Sequence, residues 1–160
     1  MLTAEGCKRR RARLWAALKI KPDYIILSEP QHLTYFANYY ASPFVFRSQN
    51  ASAMLILGVD GSSVLIADNL LQPFAEKSHV DKVIAPVWYR SIESAINRET
   101  LLVKTVAETL KPKGIMRLGF EPAVPAGVIE SIKASHPKSE FFDVSPVIHQ
   151  LKRSKDHDEM

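Results

Sequence analysis

The side chains able to do chemistry in this 160-residue chain are scattered rather than gathered in a known motif. Four carboxylates, Glu29, Asp68, Glu121 and Asp143, fall at the ends of expected strands, where a sheet could assemble them around two divalent metals for nucleic-acid hydrolysis. Helix capping and turn formation account equally well for Asp68 and Asp143. Asp156-His157-Asp158-Glu159 sets three carboxylates and an imidazole within four residues, which looks like a metal cluster. On a helix only Asp156 and Glu159 share a face, so the segment reads as a solvated, charged first turn. The five histidines, His32, His79, His136, His149 and His157, are far apart in sequence. Each neighbours an expected turn or helix end and reads as solvated or locally bonded.

The stretch from Tyr39 to Arg47 is the best candidate for contact with a ligand or partner. Tyr39, Tyr40, Phe44 and Phe46 occupy a turn-rich segment with Pro43, where periodic packing does not require aromatics, and Arg47 adds a planar donor suited to carboxylates. Cover for one edge of the core is the competing role. Trp88-Tyr89 is a second aromatic pair, open to the same two readings. Lys8-Arg-Arg-Arg11 with Arg13 and Lys19 would suit a phosphate backbone only if the charges shared one exposed surface. They surround the helix, so a solvated amphipathic helix is the better reading, and nucleic acid is not an expected partner. The sequence holds no GxxxxGK[ST] or GxGxxG phosphate loop, no HExxH and no GxSxG elbow.

Composition narrows the class. With 46% hydrophobic residues, the chain can bury one sizeable core but not two comfortable ones. The net charge of +4 is local: residues 1–21 carry seven of the 21 basic and one of the 17 acidic residues, leaving 14 basic against 16 acidic elsewhere. A single cysteine, Cys7, excludes an internal disulfide and a cysteine-based zinc site. With no secretory apolar segment and no apolar run near 18 residues, a soluble cytoplasmic protein without a membrane partner is expected.

The elements that must position these groups follow from caps and periodicity. Thr3 caps a helix to about Leu18, with Cys7, Leu14, Trp15 and Leu18 on one side, Arg9 and Arg13 opposite, and Arg11 in the apolar seam, obliged to snorkel. Tyr24–Leu27 reads as a strand buried on both faces, and Gln31 to about Ala37 as a helix closed by Asn38 in the left-handed conformation. Strands 53–57 and 64–67 flank Asp60-Gly61, a hairpin turn. Asp68 or Asn69 caps a short helix to Ser78. A strand at 82–85, the longest helix from Ile92 to Leu110, a strand at 117–120, a helix at 126–134 and a strand at 141–144 complete the order. This is an α/β sandwich with a mixed sheet. Ser154 is then expected to cap a charged helix that the sequence does not finish, which implies further chain downstream.

This order resembles the N-terminal domain of the creatinase, prolidase and Xaa-Pro aminopeptidase family. The residues that carry the likeness are Arg10-Arg-Ala-Arg-Leu-Trp-Ala-Ala-Leu18, Pro22-Asp-Tyr-Ile-Ile-Leu27, Pro30-Gln-His-Leu-Thr-Tyr-Phe-Ala-Asn-Tyr39 and the Asp60-Gly61 hairpin. The tail from Ile148 to Glu159 is similar to that family's hinge, a Leu-Arg-x-x-Lys-Ser-x-x-Glu type of segment that opens the helix into a catalytic domain. Where the family usually reads Tyr-Leu-Thr-Gly-Phe, this chain has Tyr35-Phe-Ala-Asn-Tyr39, in which Asn38 can adopt the glycine conformation.

The resemblance implies a ribonuclease-H-like three-layer sandwich over residues 1–150, with 151–160 as hinge and start of the helix into an absent catalytic domain. It implies the non-catalytic, N-terminal part of a metal-dependent Xaa-Pro aminopeptidase or prolidase-like hydrolase, inactive alone, supporting dimerisation and shaping access of a peptide substrate. Two divalent metal ions are expected in the absent domain and none in this chain. In creatinase-like members an aromatic and an arginine before the hairpin's first strand reach the substrate. Phe46 and Arg47 hold that place, and Tyr39 and Tyr40 stand beside them as candidate substrate-binding residues. The same architecture also resembles non-catalytic peptidase-like modules that bind protein, which is the alternative reading.

Overall fold

Helices Ala4–Ala17 and Arg98–Thr109 and the 3₁₀ turn Asn69–Leu71 begin where a side chain accepts from an otherwise orphaned backbone amide. The computed structural model describes residues 2–40, 53–92, 97–110 and 115–160. Thr3 Oγ1 accepts from the Gly6 amide at 3.0 Å and opens α1 (Ala4–Ala17). Strand β1 (Tyr24–Leu27) leads into α2 (Pro30–Ala37), which ends on Asn38 at φ 52°, the left-handed closure expected there. Strands β2 (Met54–Gly58) and β3 (Ser63–Ile66) form the hairpin, with Gly61 at φ 86° in its turn and Asp60 Oδ1 accepting from the Ser62 amide. Asp68 accepts from the Leu70 amide and caps a 3₁₀ turn that runs into α3 (Gln72–Ala75). Then come β4 (Lys82–Ile84), α4 (Arg98–Thr109), β5 (Arg117–Phe120), α5 (Ala126–Ser135), β6 (Glu140–Asp143) and α6 (Ser145–Leu151).

The six strands lie in the order β4-β3-β2-β1-β5-β6, antiparallel across the β1-β2 and β2-β3 pairs and parallel elsewhere. Period-two alternation divides the core between the two faces. Ile25, Leu27, Leu55 and Leu57 pack with Leu14, Leu33, Phe36 and Ile148, whereas Ile26, Met54, Ile56 and Leu118 pack with Leu102, Val106, Val128 and Ile132. The result is the expected three-layer α/β sandwich with a mixed sheet. No helix among the described residues is long and apolar enough to cross a membrane.

Helix α2 spans only eight residues, and other parts of the chain hold both its ends. At its amino end the buried Glu121 carboxylate accepts from the Ser28 and Glu29 amides and contacts His32 Nδ1. At its carboxyl end every terminal carbonyl has a donor: Thr34 from the Asn38 amide, Tyr35 from Arg10 Nε at 2.7 Å, Phe36 from Arg11 Nη1 at 2.7 Å, and Ala37 from the His79 amide at 2.7 Å. A carboxylate at the positive end and two guanidinium groups at the negative end also suit the helix dipole.

Four expectations change. The helix expected from Ile92 starts at Arg98, because Asn97 is the residue whose side chain accepts from the Thr100 amide, and Ile92 is 89% exposed. Helix α6 was not anticipated; seven residues are too few to display periodicity. Arg11 does not snorkel to solvent but donates to the carbonyls of Phe36 and His79. Nor is the basic stretch wholly solvated, since Arg10 is 1% exposed.

In the middle of β5, Gly119 leaves room that Val144 fills: a Cβ there would stand 2.8 Å from Val144 Cγ1 and 3.3 Å from Ile25 Cγ1. Gly119→Ala is therefore expected to destabilise the domain by about 1–3 kcal/mol through overpacking, measured by urea unfolding at an unchanged m-value. Wild-type stability would show that the layer can shift to admit a methyl group.

Candidate functional site

The mutually parallel strands β1, β3, β4, β5 and β6 all end at one end of the sheet, where the loops after β3 and β4 and the start of α4 meet. After β3, Asp68 Oδ1 accepts from Trp88 Nε1 at 3.1 Å, while Oδ2 faces Arg98 Nη2 at 2.8 Å. The Arg98 guanidinium lies 4.1 Å from the Trp88 ring centre. Asn69 clamps the same loop, with Oδ1 accepting from the Trp88 amide and Nδ2 donating to the Tyr89 carbonyl. Trp88 is thus anchored and half-buried, and Tyr89 stands exposed beside it with ring centres 5.6 Å apart. Leu70 and Val87, which flank the same clamp, are exposed as well. Arg98 had no signal in the sequence reading, because it looks like any first residue of a helix after an Asn cap.

The nominated substrate-binding residues separate. Tyr39 belongs to the core at 5% exposure, and its phenol is pushed up to about 12 by burial, with the Asp68 charge adding to the shift. Tyr40 is 63% exposed. Phe46 and Arg47, with Phe44, lie outside the described residues.

The four strand-end carboxylates do not converge on one centre. Asp68 faces Arg98 and Trp88, Glu121 holds the start of α2, Asp143 accepts from the Ser145 amide, and Glu29 is the N-cap residue of α2. Among the described residues no three His, Cys, Asp or Glu side chains are grouped so as to hold a metal ion. His32 and His149 face each other with ring centres 5.9 Å apart, and His79 Nε2 lies 3.0 Å from the Leu2 carbonyl.

The charged tail is docked rather than solvated. A 3₁₀ turn, His157–Glu159, follows Asp156, which replaces Ser154 as the cap, and Glu159 Oε1 accepts in return from the Asp156 amide at 2.9 Å. Asp158 reaches the amino end of α1, accepting from the Thr3 amide at 2.9 Å, from Thr3 Oγ1 at 2.8 Å and from Arg10 Nη1 at 2.7 Å. Arg13 pairs with Asp156 at 2.7 Å. The signal available in the sequence was spacing: Arg10 is three residues after Cys7 and four before Leu14, on the buried face of α1.

A family model described as the creatinase/prolidase N-terminal domain matches residues 10–153. The fold superposes on a proline dipeptidase structure from Streptococcus pneumoniae with a TM-score of 0.65 at 17% identity, covering 93% of this chain and 98% of the other. It superposes on the prolidase of Pyrococcus horikoshii with a TM-score of 0.64 at 21% identity, covering 94% of this chain but only 37% of that one. A third likeness is the creatinase/prolidase N-terminal domain of an X-Pro dipeptidase from Streptococcus pyogenes, with a TM-score of 0.62 at 13% identity, covering 92% and 99%. At these identities the superpositions establish the fold. No curated protein matches the chain.

The Asp158 contacts make stability depend on pH. The hydrogen bond from Arg10, then that from the Thr3 amide, holds its carboxyl well below the usual carboxylate range. A depressed native pKa means stabilisation that is complete above the unfolded value of about 3.9 and lost as pH falls from there toward the native value. The Tm difference between wild type and Asp158→Asn should therefore stay constant near neutrality and shrink below about pH 4. A pH-independent difference would show that the carboxylate charge contributes nothing.

Proposed function

This chain belongs to the creatinase/prolidase N-terminal domain family, and we propose that it is the non-catalytic N-terminal domain of a metal-dependent Xaa-Pro aminopeptidase or prolidase-like hydrolase. The observation that carries this reading is one of extent: the chain accounts for nearly all of the streptococcal structures yet just over a third of an archaeal prolidase. Residues 151–160 then act as the hinge into a catalytic domain that binds two divalent metal ions and activates water, and this chain contributes no metal ligand. In a cytoplasmic homodimer the exposed rim beyond the carboxyl ends of β3 and β4 faces the substrate entrance. Tyr40, Phe46 and Arg47 contact the peptide substrate, and Tyr39, buried in the core, anchors the chain beside Tyr40.

The test has two arms. The chain by itself should hydrolyse no Xaa-Pro dipeptide, with or without added divalent metal, and turnover would refute the non-catalytic assignment. In a longer protein carrying the following domain, Arg47→Ala should lower kcat/KM by about tenfold, roughly 1.4 kcal/mol of transition-state stabilisation, with folding unchanged. Wild-type kinetics would remove Arg47 from the site. A downstream sequence without ligands for two divalent metal ions would favour a peptidase-like protein-binding module instead.

A further inference from the structure

We propose that residues 156–159 form a latch that pins the outgoing chain to the amino end of α1, with Asp158 as the group that engages and the buried Arg10 as its seat. The contacts join residues 148 to 155 positions apart in sequence, so the segment is held by tertiary structure and not by its own helical tendency. Asp158 takes four polar contacts: the Thr3 amide and hydroxyl, Arg10 Nη1, and Arg10 Nη2 at 3.4 Å. Around the same guanidinium, Asp156 Oδ2 lies at 3.5 Å and Glu159 Oε1 at 3.8 Å from Nη1. The Arg10 side chain has no exposed surface and those of Asp156, Asp158 and Glu159 are 10–15% exposed, unlike surface pairs that water screens to near neutrality.

Gly6 makes the seat possible. A Cβ on Gly6 would come within 2.0 Å of Asp158 Oδ2, so the carboxylate occupies the space that any other residue would fill. Thr3 serves both sides, since its hydroxyl accepts from the Gly6 amide and donates to Asp158. On the reading above, in which a domain follows the hinge, that domain starts from a fixed point on α1 and moves freely only when the Arg10 cluster opens.

Amide hydrogen exchange on the 160-residue chain tests the latch without reference to catalysis. The probes are the amides of Thr3, Asp156 and Glu159, which donate to Asp158 Oδ2, Glu159 Oε1 and the Asp156 carbonyl. Asp158→Ala removes the engaging group, whereas Gly6→Ala evicts it sterically. By helix propensity alone, alanine at position 6 would strengthen α1. The latch predicts about tenfold faster exchange at all three probes in both variants, with the amides of β1 and β2 still protected. If Asp158→Ala also exposes the strands, Gly6→Ala alone decides. Unchanged exchange at Thr3, Asp156 and Glu159 in Gly6→Ala would overturn the proposal.

Discussion

Arg10 donates from Nε to the Tyr35 carbonyl, from Nη1 to Asp158 and from Nη2 to the Cys7 sulfur at 3.3 Å, so one guanidinium joins α1, the end of α2 and the tail. Stripping a cation of water is costly, and partners on every side must offset it. Arginine suits the task because its fork of donors remains charged and fixed in direction, which a lysine could not reproduce. The Tyr35 ring, 5.1 Å from the guanidinium carbon, closes another side. The arrangement restricts the neighbours in turn: Gly6 must lack a side chain, Thr3 must supply a hydroxyl, and Asp158 must reach back across the helix terminus.

The same logic of satisfying helix ends organises the rest of that layer. An eight-residue helix is marginal by itself, and α2 persists because Glu121 holds its amino end while Arg10, Arg11 and His79 take its carbonyls. Glu121 comes from just beyond β5, Arg10 and Arg11 from α1, and His79 from the loop before β4, so α2 is positioned by three distant segments. Its end fixes Tyr39 in the core and delivers Tyr40 to the surface. Beyond the carboxyl ends of β3 and β4, Asp68, Trp88 and Arg98 brace the loop that presents Tyr89. The exposed aromatics thus stand on a rigid frame, as a contact surface requires.

Much of this was legible in the sequence where a local signal coincided with the final structure. Asp60-Gly61, Asn38 and Asp68 mark turns and caps whose chemistry is settled within a few residues, and the apolar run at 24–27 is a central strand buried on both faces. The order of strands and helices, read with the likeness to a known family, led to the correct sandwich. The features with no local signal depend on contacts across the fold. Helix α6 is too short for periodicity, and α4 starts at a cap that an apolar residue upstream obscured. Arg10 appeared to be one of several solvated charges, and the tail a solvated turn, because each finds its partner about 150 residues away. A charge within an apolar seam is the local sign of such a contact, and Arg10 carries it as Arg11 does.

Arg10 and Asp158 join the tail to the first helix, and if they act as one unit their energies are coupled. A double-mutant cycle with Arg10→Met, Asp158→Asn and the double variant, measured by urea unfolding near neutral pH, tests it most directly. The double variant is expected to lose less stability than the two single variants summed, by about 1–3 kcal/mol. Losses that add to within about 0.5 kcal/mol would contradict it, because residues that act independently are additive at that level.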